Sequence, residues 1–152
     1  MMMRTLTPIL AALMLSIAPM ASAGPLAEAA GPSASADEKV VYHLNDSENA
    51  AIAMRNVQNH INASPDAKIV MVTHGKGIDF LLNGAADKNG NPYEPMVQGL
   101  KAKGVDFRVC NNTLVSRKID AKTVLPEASI VPSGVAEIGK LQAKEGYVYL
   151  KP

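Results

Sequence analysis

The chain has 152 residues, with one cysteine, no tryptophan, four tyrosines and two phenylalanines. Its 15 Lys+Arg stand against 14 Asp+Glu, too even a balance for a nucleic-acid binder, which needs a basic face. One cysteine excludes an internal disulfide framework, a CxxC redox pair and a thiolate zinc finger, while the length suits one domain with a real core.

The first residues, Met1 to Thr5, carry one charge, on Arg4, and an apolar stretch follows from Leu6 to Ala18, interrupted by Pro8. Pro19 then precedes Ala21-Ser22-Ala23, an A-x-A pattern. Residues 1–23 are expected to be a secretory signal peptide cleaved after Ala23, leaving Gly24 at the N-terminus. The apolar run falls short of the ~20 residues that span a bilayer, so no membrane attachment is expected after cleavage. The expected location is the periplasm or the outside, where the lone Cys110 would be a free thiol in an oxidising compartment. Residues 24–37 are rich in Ala, Pro, Ser and Gly and read as a flexible linker. The folded domain is expected over residues 38–152.

Lys39 to Leu44 is a β-branched and aromatic run, a strand. Asn45-Asp46-Ser47 breaks it, and Ala50, Ala53, Met54, Val57 and Ile61 recur at helical spacing. Lys68 to Thr73 (KIVMVT) is nearly continuous in apolar residues, as in a strand buried on both faces. Gly75-Lys76-Gly77 ends it, and a short helix is expected over Ile78 to Leu82. Asp87 to Pro92 is a dense turn signal. Pro95 opens a helix with Met96, Val97 and Leu100 inward, closed by Gly104. Val105 to Val109 is a third strand, with short helical turns over Leu114–Ile119 and Ala121–Leu125. Ala128 to Val131 is a fourth strand. Ser133-Gly134 opens a helix with Val135, Ile138 and Leu141 on one face, capped by Gly146, and Tyr147 to Leu150 is the last strand. This alternation predicts an α/β fold in three layers, a mostly parallel central sheet of about five strands with helices on both faces.

In such sheets the working crevice lies outside the carboxyl ends of the strands. His43 and Asn45 end the first strand. Thr73, His74, Gly75 and Lys76 end the second. Cys110, Asn111, Asn112 and Thr113 end the third, and Ser133 and Gly134 end the fourth. The only cysteine and two of three histidines thus share one edge. Cys110 precedes a predicted helix, whose free N–H groups favour a thiolate and hence a nucleophile or sulfur carrier; free cysteines also often just pack. His43 and His74 are candidate acid, base or thiolate-stabilising groups. Asn45, Gly75, Lys76, Asn111, Asn112, Thr113, Ser133 and Gly134 are candidate binding residues, the glycines because they admit close backbone approach. His60 sits on a polar helix face and is expected to be solvated. The spacings of His43, His74 and Cys110 match no metal-ligand motif, so no metal is assigned. No nucleophile elbow, phosphate loop or dinucleotide fingerprint is present, and no cofactor is expected.

The runs "YHLND", "VTHGKGIDFLL", "FRVCNNTL" and "SIVPSGVAEIGKLQAKEGYVYLKP" together resemble the DsrE/DsrF-like family, most closely its exported branch of small single-cysteine proteins. The resemblance covers about Glu38 to Pro152. It implies a compact, flavodoxin-like α/β fold and a homo-oligomer, a trimer or hexamer. Some family members are sulfur-relay proteins that hold persulfide on one cysteine, which corresponds to Cys110, and pass it to a partner. Those members are cytoplasmic, whereas this chain carries an export signal.

Three readings follow. In the first, the protein is a sulfur carrier or sulfurtransferase with an exposed, acidic Cys110 assisted by His43 or His74, and with a donor or acceptor protein as partner. In the second, it is a non-catalytic oligomeric binding or scaffold protein in which Cys110 packs. In the third and weakest, His43, His74 and Cys110 bind a metal. The apolar Phe80, Leu81, Leu82 and Tyr93 around the long connection are a candidate subunit interface.

Overall fold

The computed structural model describes residues 38–152; the signal-peptide and linker expectations concern residues 1–37 and lie outside the described residues. Nine principal elements follow one another: β1 (Lys39–Asp46), α1 (Ala50–Ala63), β2 (Lys68–Lys76), α2 (Glu94–Ala102), β3 (Asp106–Cys110), α3 (Asn111–Arg117), β4 (Ala128–Val131), α4 (Gly134–Glu145) and β5 (Val148–Leu150). Short 3-10 turns cover Ser47–Asn49, Asp79–Leu81 and Ala121–Thr123. The strands form one sheet in the order β4-β3-β2-β1-β5, and every neighbouring pair is parallel. This is the expected α/β sheet with helices on both faces.

The two faces are unequal. On one, Ala53, Met54 and Val57 of α1, Phe80 and Leu81, Val97 and Leu100 of α2 and Leu114 of α3 pack on Val40, Tyr42, Leu44, Ile69, Met71, Phe107 and Val109. On the other, Ile138 and Leu141 of α4, with Tyr147 packed beside them, cover Val41, Val70 and Val72. Alternation along each strand follows from the period of two. β2 is buried on both faces from Ile69 to Thr73, as its continuous apolar run predicts. The α4 ends are set by Ser133, whose Oγ accepts from the Ala136 N–H at 3.4 Å, and by Gly146 at φ +75°, the left-handed cap that glycine favours.

Several local expectations are corrected. The helix expected over Ile78–Leu82 is a single 3-10 turn, and α3 starts at Asn111 rather than Leu114. Met96 and Val135 are exposed, at 46% and 63%. Met96 is one residue, or about 100°, away from Val97, which with Leu100 sets the buried stripe of α2. Val135 drifts off the α4 stripe because three-residue steps fall about 60° short of a full turn. Phe80 and Leu81 are not an interface but core, with Leu82 and Tyr93 packed against the same cluster. His60 is not simply solvated: its Nδ1 meets the Tyr42 hydroxyl at 2.9 Å and its Nε2 meets Glu38 Oε1 at 2.7 Å. The helix face looked polar in sequence because the buried Tyr42 hydroxyl that His60 serves is on another element.

Candidate functional site: a thiol cradle and a histidine pair

The connection after β3 enters α3, which packs on the larger cluster through Leu114. The connection after β4 enters α4, on the opposite face. Neighbouring strands whose exits diverge in this way open a crevice at their carboxyl ends. Cys110 is the last residue of β3, opposite Val131 of β4, and so stands at the point where the connections diverge. It is a free thiol, 5% exposed.

Burial pushes the Cys110 thiol up, but hydrogen bonds from the backbone of Gly134, the side chain and backbone of Thr113, and the backbone of Asn112 outweigh it and hold the thiol below its ordinary value. The donors come from two elements. Asn112 and Thr113 belong to α3, and Gly134 begins α4. Thr113 Oγ1 accepts from the Gly75 N–H at 3.0 Å, which leaves its hydroxyl proton to serve the sulfur. Glycine at 134 permits this closeness without displacing its neighbours. A Cβ there would lie 3.1 Å from the Thr73 carbonyl oxygen, 3.2 Å from Cys110 Cβ and 3.3 Å from His74 Cβ.

Those distances also set the His74 and Cys110 side chains next to one another on the α4 face of the sheet. The row continues sideways. His74 Nε2 lies 2.7 Å from His43 Nε2, with the rings stacked at 4.7 Å between centroids and 28° between planes. His43 Nδ1 lies 2.6 Å from the Tyr149 hydroxyl of β5. Both histidines are held below their ordinary value, His43 by burial, then His74, then Lys151, and His74 by burial, then Lys151. At neutral pH the pair is therefore uncharged.

The His74-Gly75 turn is braced by Arg117, whose Nη1 donates to the Gly75 carbonyl at 3.0 Å and to Asp79 Oδ1 at 2.5 Å. Of the predicted residues, the structure gathers Cys110, His43, His74, Gly75, Asn112, Thr113, Ser133 and Gly134 at this edge. Asn111 is exposed in the first turn of α3. Asn45 and Lys76 are exposed at the outer ends of β1 and β2, and among the described residues no hydrogen bond joins either side chain to the cradle. Sequence reasoning missed Tyr149, which sits beside His43 only because β5 pairs with β1; the signal that was available is a polar-tipped aromatic in an otherwise aliphatic strand.

Two sequence readings meet obstacles here. The sulfur-carrier reading expects an exposed cysteine, and Cys110 is buried. The metal reading expects three donors, and among the described residues no group of three or more His, Cys, Asp or Glu could hold a metal ion. A cleft of about 690 Å³ opens elsewhere, between the β1–α1 turn and the 79–93 segment, lined by Ser47, Arg55, Phe80, Lys88 and Tyr93 among others. It contains no cysteine or histidine.

The family model for the DsrE/DsrF-like family matches residues 32–152. Among solved structures, the chain is similar to MTH1491, a protein of unknown function from Methanobacterium thermoautotrophicum, at 28% identity and a TM-score of 0.68 over 76% of this chain and all of that one. It is also similar in fold to the ychN protein of E. coli, at 15% identity and a TM-score of 0.64 over 76% of this chain and 99% of that one. Among curated proteins, none matches. With the family match spanning the whole described domain, the chain belongs to the DsrE/DsrF-like family.

Proposed function

We propose that this protein carries sulfane sulfur on Cys110. The observation that supports the reading is the cradle: a thiol at the strand ends held below its ordinary value by donors from the starts of α3 (Asn112 and Thr113) and α4 (Gly134). In the loading step the Cys110 thiolate attacks the outer sulfur of a donor persulfide, R–S–SH. The new bond joins Cys110 Sγ to that sulfur, the old S–S bond breaks, and the donor leaves as R–S⁻. Cys110 then holds –S–SH, and a thiolate acceptor takes the outer sulfur in the same way. No net oxidant is consumed.

The burial of Cys110 favours a second reading, in which the thiol packs and the crevice serves a non-catalytic binding or scaffold role. Offering a small persulfide donor to wild type and Cys110→Ser and weighing the intact proteins separates the two. Sulfur addition of about 32 Da on wild type alone supports the carrier. No addition, with the thiol also inert to alkylation, means that Cys110 is structural.

Export belongs to the same proposal. The chain would act outside the cytoplasm as a homo-oligomer, with a donor or acceptor protein as its partner.

A further inference from the structure

We propose that Tyr149, His43 and His74 form a proton relay along the strand ends, in which Tyr149 is the positioning residue that sets the tautomers of both histidines and His74 exchanges protons with the sulfur substrates of Cys110. The inference rests on the sulfur-carrier reading and goes beyond it by assigning where the protons of the transfer come from and go.

The geometry begins with the Nε2–Nε2 contact of 2.7 Å. Two neutral imidazole nitrogens at that distance must share one proton: two would clash, and none would oppose two lone pairs. The tautomers of the pair are therefore linked and opposite. The Tyr149 hydroxyl, 2.6 Å from His43 Nδ1, chooses between them. When the phenol donates, His43 Nδ1 accepts, His43 Nε2–H donates to His74 Nε2, and His74 keeps its proton on Nδ1. When Nδ1–H of His43 donates to the phenol oxygen, every step reverses and His74 Nδ1 becomes a base.

These two states match the two halves of a carrier cycle. On loading, the leaving R–S⁻ takes the His74 Nδ1 proton and departs as R–SH. His43 passes its Nε2 proton to His74 Nε2, the phenol passes its proton to His43 Nδ1, and solvent reprotonates the phenol oxygen. On unloading, an acceptor thiol gives its proton to His74 Nδ1, and the chain runs backward, releasing one proton from the phenol to solvent. The acceptor thiolate then attacks the outer sulfur of Cys110–S–SH, and Cys110 returns as a thiolate. One proton enters and one leaves per cycle.

The surroundings suit a relay that remains uncharged. Tyr149 is 37% exposed and reaches solvent. Lys151, beyond β5, opposes a positive charge on either histidine. From α4, the carboxylate nearest the row in sequence, Glu137, is tied up by Arg108 of β3, so it does not neutralise an imidazolium. Asp46 and Lys76, paired at the outer ends of β1 and β2, and the Cys110 thiol also stand on this edge.

The test uses the full chain, labelled with 15N at histidine, together with two sulfur donors. The expected spectrum shows His43 protonated on Nε2 and His74 on Nδ1 at neutral pH, with Tyr149→Phe releasing both into mixed tautomers. From a thiol persulfide, whose leaving thiolate needs a proton, sulfur loading slows about tenfold in Tyr149→Phe and in His43→Gln, within the range of general-acid effects. From an aromatic thiosulfonate, whose sulfinate leaving group is a weak base, loading in the same variants stays near wild type. Haloacetamide alkylation of Cys110, which needs no proton delivered, also stays near wild type. A merely structural role for Tyr149 would slow both donors alike, and that result overturns the proposal, as do like tautomers in wild type. No sulfur on wild type from either donor overturns the carrier reading and the delivery step with it. Sulfur on wild type with no dependence on leaving group overturns the relay alone.

Discussion

At the scale of single residues, the site is an exercise in partner supply. A buried thiol should resist ionisation, and Cys110 ionises more readily only because donors converge on it. Thr113 carries two duties there, accepting from Gly75 and serving the sulfur. Thr113→Val removes both at nearly constant volume. The thiol should titrate higher, and alkylation at pH 7 should slow by about three- to tenfold, since each pKa unit is tenfold in thiolate. The orphaned Gly75 N–H should cost about 1 kcal/mol in urea unfolding. In wild type the alkylation rate should fall through a midpoint below the roughly 8.5 of a free thiol; a midpoint at or above that value would show that burial wins. The histidines make the complementary statement about stability. Their folded values are lowered, so the unfolded chain binds protons first. Stability is then fully present above the unfolded value of about 6.5 and declines as pH falls from there toward the lowered folded values. Unfolding midpoints of wild type and a His43→Gln/His74→Gln variant, measured from pH 7.5 down to 5, should converge toward acid.

At the scale of elements, one glycine fixes how closely α4 approaches the strands. Gly134→Ala places a Cβ 3.1 Å from the Thr73 carbonyl oxygen, so the helix start must shift by a few tenths of an ångström. Such overpacking costs about 1–3 kcal/mol, and it draws the Gly134 N–H away from Cys110, so slower alkylation and lower stability should appear together. The far end of the sheet offers a control. His60 partners the Tyr42 hydroxyl at 2.9 Å, and Tyr42 is 5% exposed. His60→Ala should cost about 1–3 kcal/mol by stranding that hydroxyl, and adding Tyr42→Phe should recover part of the loss, with Cys110 chemistry untouched throughout. These elements were unevenly legible in the sequence. β2 announced itself because a strand buried on both faces needs an unbroken apolar run. The gathering of Cys110, His74 and Gly134 was legible too, because parallel strands separated by helices must end on one edge. The partner of His43 was not. Nothing in the short run Val148–Leu150 says that it crosses to the far side of β1, since strand order depends on which edge α4 leaves open. His60 failed for the same reason: its role depends on a contact between elements, and periodicity describes only its own helix.

At the scale of the whole molecule, no strand among the described residues pairs with the outer side of β4 or of β5. The β4 edge exposes Ile130 at 40%, and the β5 edge exposes Val148 at 62% and Leu150 at 39%. Val115 of α3 and Val135 of α4, at 68% and 63%, flank the strands that carry the cradle. Unpaired edges with apolar side chains invite association, and the segment first suspected of it, around Phe80 and Leu81, is spent on the core. We propose that the protein associates in solution, the family resemblance implying a trimer or hexamer, through contacts at these edges and helix starts rather than through the 78–93 segment. A stable contact of this kind buries about 800 Å² on each partner, more than one edge strand of three or four residues supplies, so helix residues must join it. Sedimentation of the full chain should give a multiple of the 16.0 kDa monomer. Val115→Glu with Val135→Glu should then lower that mass while leaving the fold intact, because neither side chain packs in either core cluster. A wild-type monomer at micromolar concentration would sink the expectation. An oligomer indifferent to both glutamates would move the contact to the β5 edge, where Val148 and Leu150 flank Tyr149, and the solvent end of the proposed proton row would then open onto a subunit boundary.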